Sequence, residues 1–126
     1  MKLWIDDVRP APEGYTWLKS VNEAKKYIID IEACIKRCMD RGNKCFENRD
    51  YVGRTKAYEA ANKIDIELIS IDHDAGEFAK DGGDYIKLLD WLEETGRSYP
   101  IHIHSMNPVG VQNMRAIIQK NHWKEV

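Results

Sequence analysis

Three short apolar, β-branched runs set the frame for this chain: Lys2–Ile5, Glu67–Ile71 and Ile101–His104. Each is strand-length, and each ends at a cluster of ionisable or hydroxyl-bearing side chains. Helix-period segments lie between and after them. Strands that alternate with helices predict an α/β fold with a mainly parallel sheet. In open sheets of that kind ligands bind beyond the carboxyl ends of the strands, so the three clusters are candidates for one site.

The remaining elements follow from periodicity and caps. Ser20-Val21-Asn22-Glu23 reads as a capping box, and Ala24, Tyr27, Ile28, Ile31, Ile35 and Cys38 continue it as one apolar stripe. Gly42 is the expected stop. Tyr15–Lys19 suits a short strand before this helix. Asn43–Val52 reads as a loop and Arg54–Lys63 as a short surface helix, so residues 39–64 are treated as an excursion within a single domain, 1–126. A second helix is expected over Asp84–Thr95, with Asp84 as N-cap and Tyr85, Leu88, Leu89 and Leu92 on one face. A third starts at Asn107-Pro108, a favoured N-cap and first-turn pair, and buries Val111, Met114 and Ile118. Trp123–Val126 suits a last edge strand.

Composition excludes several classes. A chain of 126 residues carries one sizeable core. Hydrophobic residues at 43% and charged residues at 32% exclude a disordered polar chain. No apolar run approaches the roughly 20 residues of a membrane span. The start, MKLWIDDVRP, meets two aspartates before any long apolar stretch, unlike a signal peptide. Cys34, Cys38 and Cys45 are an odd count, and reduced, inert thiols in a cytoplasmic protein are expected; no histidine lies near them to complete a zinc site. The net charge of −2 gives no bulk attraction to nucleic acid, although residues 36–56 hold seven Lys/Arg against three acids.

The clusters carry the chemistry. After the first run comes Asp6-Asp7-Val8-Arg9-Pro10. Two carboxylates turned into one crevice repel unless a cation lies between them, and hard oxygen donors suit Mg²⁺ or Mn²⁺. Arg9 adds a planar fork for phosphate oxygens. The same residue types also make a plain turn. After the second run comes Asp72-His73-Asp74-Ala75-Gly76. Three ionisable groups after a buried strand are costly unless paired or bound to a cation; a solvated turn is the other reading. His73 is a candidate acid or base. After the third comes His102-Ile103-His104-Ser105-Met106-Asn107. Alternation puts His102 and His104 on one face, with His102 expected as a hydrogen-bonded core residue. His104 and Ser105 are candidates to reach a phosphate at the helix start, where Asn107 is either cap or contact. Trp4 and Trp91 suit packing roles, and Trp17 either packing or a stacking surface for a base.

Taken together, "IDDVRPAP", "ISIDHDAG" and "IHIHSMNPVGVQNM" resemble, in order and spacing, the cyclic-phosphate processing receiver-like family, a divergent relative of response-regulator receiver domains. The resemblance implies a flavodoxin-like, receiver-like three-layer sandwich around a mainly parallel sheet, and action on cyclic phosphates in RNA repair or nucleotide salvage. Asp6, Asp7, Asp72 and Ser105 look similar to the receiver's acid pair, phospho-accepting aspartate and hydroxyl residue. Departures are visible too. Lys124 falls too early for the receiver lysine, no room exists for a helix between Ile5 and Tyr15, and His73, Asp74, His104 and Asn107 are additions that a phosphorelay does not require. The expected activity is therefore a metal-assisted phosphoesterase. Asp6, Asp7 and Asp72 would hold the Mg²⁺ or Mn²⁺. His73, His104, Asp74 and Arg9 would carry catalysis, and Arg9, Ser105, Asn107 and Asn113 would contact a cyclic-phosphate nucleotide or RNA end. A receiver-like signalling module phosphorylated on Asp72 and a non-catalytic cyclic-phosphate binder are the alternatives.

Overall fold

The structure, a computed structural model, describes residues 1–126. Its elements run β1 (Lys2–Ile5), β2 (Tyr15–Leu18), α1 (Val21–Glu47), α2 (Tyr51–Ile64), β3 (Leu68–Ile71), a 3₁₀ turn (Gly76–Lys80), α3 (Ile86–Glu94), β4 (Ile101–Ile103) and α4 (Pro108–Lys120). The chain divides into two units, one made of Met1–Lys26 with Ile66–Val126 and the other of Tyr27–Asp65. The expected excursion at 39–64 falls within the second.

In the first unit the four strands are all parallel, in the order β2-β1-β3-β4. This is the receiver-like α/β architecture expected from the alternating pattern. Trp123–Val126 adds only a bridge, Ile101 to Glu125, at the β4 edge. Strand alternation sorts the sheet into two faces. Leu3, Ile5, Ile69, Ile71 and Ile101 are fully buried on one, and Leu18 is nearly so. Against them lie Val21 and Ala24 at the start of α1, Leu88, Leu89 and Leu92 of α3, and Met114 and Ile118 of α4, all buried. Burying a side chain of this size contributes about 1.5–3 kcal/mol, so this layer accounts for most of the unit's cohesion. Val111 is only partly buried, and Gly110 takes its place on the inner side of α4.

The topology explains which face is covered. The crossovers β2-α1-α2-β3 and β3-α3-β4 advance in the same direction along the sheet. Right-handed connections then put the start of α1 and α3 on the same side, and α4 packs beside α3. The β1–β2 connection is a loop, as the short Ile5–Tyr15 spacing predicts, so no helix of this unit supplies the layer expected on the opposite face.

Local signals set the helix starts. The Glu23 N–H donates to Ser20 Oγ at 3.0 Å, while Glu23 Oε2 accepts the Lys19 N–H at 3.2 Å, one residue earlier than in a standard capping box. Asn107 Oδ1 accepts the Gly110 N–H at 3.0 Å, with Pro108 opening α4. Asp84 is not the cap of α3. Its carboxylate instead accepts the Ala75 N–H at 3.0 Å and holds the loop that follows β3.

The second unit is a helical hairpin. The stop expected at Gly42 does not occur, and the loop expected over Asn43–Val52 is largely helical: α1 runs to Glu47. The reason is packing. Gly42 is buried, and a side chain there would collide with the Tyr58 ring of α2, so the glycine admits a close helix–helix approach rather than ending a helix. The turn comes later, with Arg49 at a φ of 59° and Asp50 Oδ1 accepting the Gly53 N–H at 2.9 Å to start α2. The helix expected over Arg54–Lys63 is thus extended by a turn at its start.

Candidate functional site

The carboxyl ends of β1, β3 and β4 bring the three sequence clusters together. The β1–β3 register, Ile5 opposite Ile71, puts Asp6 beside Asp72, and the Asp72 N–H donates to the Ile5 carbonyl at 2.9 Å. Ligand atoms of Asp6, Asp7 and Asp72 all lie within 4.8 Å of one another. Three carboxylates so close repel strongly. The Asp7 carboxyl is correspondingly pushed above its ordinary value, by burial first and then by the negative charges of Asp6 and Asp72. An oxygen-only cluster of this kind suits a hard divalent cation.

Asp6 is fully buried yet remains acidic. Burial alone would raise its pKa, but donors outweigh it: Oδ1 accepts the Arg9 N–H at 2.8 Å and the Val8 N–H at 3.0 Å, and Oδ2 meets His104 Nε2 at 2.9 Å. The turn reading of Asp6-Asp7-Val8-Arg9 is therefore correct in part, since one oxygen of Asp6 caps the turn and the other turns to the histidine.

His104 is fixed on every side. Nδ1 is 2.9 Å from Ser70 Oγ, and its ring stacks on Trp4 at 3.8 Å and 2° between planes. Burial lowers its pKa and outweighs the pull of Asp6. The imidazole is thus neutral: Nε2–H donates to Asp6 and Nδ1 accepts the Ser70 hydroxyl. Arg9 reaches across to the same corner, with Nη1 donating to the His104 carbonyl at 2.9 Å and Nε 4.0 Å from Asp6 Oδ2.

His73 lies in a second constellation. Nδ1 is 2.9 Å from Asp74 Oδ1, and Asn107 Nδ2 is 3.4 Å from Asp74 Oδ2. The His73 contact, with Asn107 assisting, holds the Asp74 carboxyl below its ordinary value. The ring lies against Gly110, where any Cβ would overlap it. Ser105 Oγ accepts the Asn107 N–H at 3.1 Å. The first turn of α4 is largely satisfied by its own cap: Pro108 has no donor, the Gly110 N–H goes to Asn107 Oδ1, and the Val111 N–H goes to the Asn107 carbonyl. Little of that helix start remains for an anion.

Asp6, Asp7, Asp72, Arg9, His73, Asp74, His104, Ser105 and Asn107 thus gather at one rim. Asn113 does not join them: it is exposed in the second turn of α4, and none of the hydrogen bonds above reaches it. His102 is not a core residue. It is exposed at the sheet edge, with Nδ1 2.8 Å from the Val126 carbonyl, because β4 is an edge strand. Three supporting residues carry roles that the sequence reading did not assign. Ser70 is the one polar side chain inside the buried run ISI, and that was its signal. Trp4 and Gly110 gave none, since stacking and close approach depend on tertiary placement. Tyr85, read as core, is fully buried and its hydroxyl donates to the Lys19 carbonyl at 2.7 Å; burial and then the Asp7, Asp6 and Asp72 charges push its pKa far up.

A parallel sheet with an acid triad at its carboxyl rim and a hydroxyl residue after β4 defines a receiver-like domain. The family model for the cyclic-phosphate processing receiver domain matches residues 1–120, and the chain belongs to that family. No curated protein and no solved structure matches this chain. No helix is long and apolar enough to cross a membrane.

Proposed function

We propose that this protein is a metal-dependent phosphoesterase that opens a cyclic phosphate on a nucleotide or RNA end. The observation that carries the reading is the approach of Asp6, Asp7 and Asp72 oxygens to within 4.8 Å at the strand ends, in a chain of a cyclic-phosphate processing family. Bound by these carboxylates, Mg²⁺ or Mn²⁺ would supply the electrophilic charge that the developing phosphorane needs. Arg9, exposed at its tip yet tethered to the His104 carbonyl, donates to the phosphate oxygens together with the Ser105 hydroxyl.

His73 moves the proton. Its Nδ1–H donates to Asp74, which Asn107 Nδ2 holds in turn, so Nε2 is the atom that takes a proton from the attacking water and returns it to the departing ribose oxygen. One P–O bond forms and one breaks, leaving a phosphomonoester and a free hydroxyl. His104 has a different part. Both its ring nitrogens are engaged, so it orients Asp6 rather than touching substrate.

Turnover of a 2′,3′-cyclic nucleotide panel with Mg²⁺ or Mn²⁺ is the test. Ring opening is expected for the wild-type protein, falling at least a hundredfold in Asp72→Asn and in His73→Ala. Activity that survives both substitutions would overturn the assignment, as would a stable beryllofluoride adduct on Asp72 in a protein that opens no cyclic phosphate.

A further inference from the structure

One face of the sheet is left without a helix of its own unit, and it is aromatic. The register puts Trp4, Trp17, Ser70 and His102 in one row across that face, with Lys2, Tyr15 and Leu68 in the row beneath. Trp4, Tyr15 and Trp17 are half-buried, and Lys2 and His102 are exposed. The rings meet one another, the His104 ring and loop carbonyls: Trp4 packs edge-on to Tyr15 at 5.8 Å, and Trp17 Nε1 donates to the Asp6 carbonyl at 2.7 Å. Two rings are covered by flexible lysines. Lys19 Nζ lies 4.4 Å from the Trp17 centroid and Lys2 Nζ 5.6 Å from that of Tyr15.

We propose that this face binds single-stranded RNA, taking the nucleotides that precede the cyclic phosphate; the inference rests on the proposed function and names its substrate class as an RNA end rather than a free nucleotide. Three observations select this occupant. Lys2, Lys19, His102 and Arg9 border the face, and the strand positions facing this way, up to the acid cluster at the carboxyl rim, hold no acid. That matches a phosphate backbone. Aromatic rings on a sheet offer stacking platforms for successive bases, tolerant of sequence. A lysine lying on a ring can yield that ring to a base and give its ammonium to the adjoining phosphate. The face is also continuous with the acid cluster, since Trp4 stacks on His104, which holds Asp6. A 2′,3′-cyclic phosphate requires a ribose 2′-hydroxyl, so the strand is RNA.

The experiment measures binding of full-length protein, in Ca²⁺ to suppress turnover, to a labelled eight-nucleotide RNA ending in a 2′,3′-cyclic phosphate. The same RNA with a 3′-hydroxyl and the cyclic mononucleotide serve as comparisons. The oligonucleotide is expected to bind at least tenfold more tightly than the mononucleotide, with an affinity that falls steeply with salt. Tyr15→Ala is expected to weaken it fivefold or more. Lys2→Glu, an exposed substitution that spares the core, is expected to weaken it about tenfold and to flatten the salt dependence. Equal affinity for oligonucleotide and mononucleotide would overturn the proposal. So would Lys2→Glu and Tyr15→Ala variants that bind RNA normally but break a dimer in sedimentation, which would make the face a contact between two copies. Failure of the proposed function reads differently: both RNAs would then bind equally well, with the Lys2 and Tyr15 effects retained and no ring opening in Mg²⁺ or Mn²⁺.

Discussion

Replacing Asp7 by asparagine isolates the electrostatics of the acid cluster. Asp7 has two carboxylate neighbours with ligand atoms within 4.8 Å. At an effective dielectric constant of about 20, two unit charges at that separation repel by about 3.5 kcal/mol. Asp7 is partly solvated, and water and salt screen most of this. A net relief of about 1 kcal/mol is the reasonable expectation, and for a chain of this size it corresponds to a rise of about 3–5 °C in Tm. The amide keeps the shape of the carboxylate it replaces, so packing hardly changes. The sign reverses when a cation is supplied. Wild-type protein at a hundredfold excess of Mg²⁺ or Mn²⁺ over its Kd gains about 2.7 kcal/mol by mass action, whereas Asp7→Asn loses a ligand and most of that gain. Thermal melts in EDTA and in each cation, at fixed ionic strength, read both signs. A variant that melts below wild type in EDTA, or one that shifts as far as wild type on adding cation, refutes the reasoning.

Other expectations follow from individual contacts. Gly110→Ala places a methyl group in the His73 ring; Gly→Ala inside a helix would otherwise stabilise by up to about 1 kcal/mol, so a turnover loss of tenfold or more without a gain in Tm identifies the collision. Leu89→Ala empties a fully buried position between α3 and the sheet and should cost about 2–5 kcal/mol in urea denaturation. Acidification should destabilise the protein in two steps. His104 has a lowered folded pKa, so the unfolded chain protonates first and stability falls as the pH drops from about 6.5 through the folded value. Asp6 also has a lowered folded pKa, so its contribution is present above the unfolded value of 3.8 and is lost below it. Asp7, with its raised folded pKa, works in the opposite direction, so urea midpoints of Asp7→Asn measured from pH 7.5 to 3 check this, and a midpoint of that variant that rises between pH 7 and 5 would contradict the neutral imidazole.

How far the sequence discloses this molecule differs from element to element. Strands of four residues such as Lys2–Ile5 were legible because a buried strand shows as an apolar run closed by polar residues, and helix starts at Ser20 and Asn107 because caps are local chemistry. Gly42 misled for a physical reason: glycine ends helices and also lets two helices touch, and only the Tyr58 ring opposite distinguishes the two. The acid cluster was legible because parallel strands deliver their carboxyl ends to one rim. The separate parts of the two histidines were not. His73 and His104 look alike in sequence, and the difference comes from what surrounds the rings, Asp74 and Gly110 for one and Ser70, Asp6 and Trp4 for the other. Asn113 is exposed in the second turn of α4 and shares none of the hydrogen bonds of the cluster, and a motif places residues along a helix without saying how far from its start a site extends.

The meeting of cation and cyclic phosphate at the carboxyl rim can be read directly from the ³¹P relaxation of a 2′,3′-cyclic nucleotide mixed with Mn²⁺-loaded protein. Strong paramagnetic enhancement is predicted for the wild-type protein and its disappearance in Asp72→Asn at equal total Mn²⁺. Enhancement that is undiminished in Asp72→Asn, or absent from the wild type when Mn²⁺ is shown to be bound, would contradict the account.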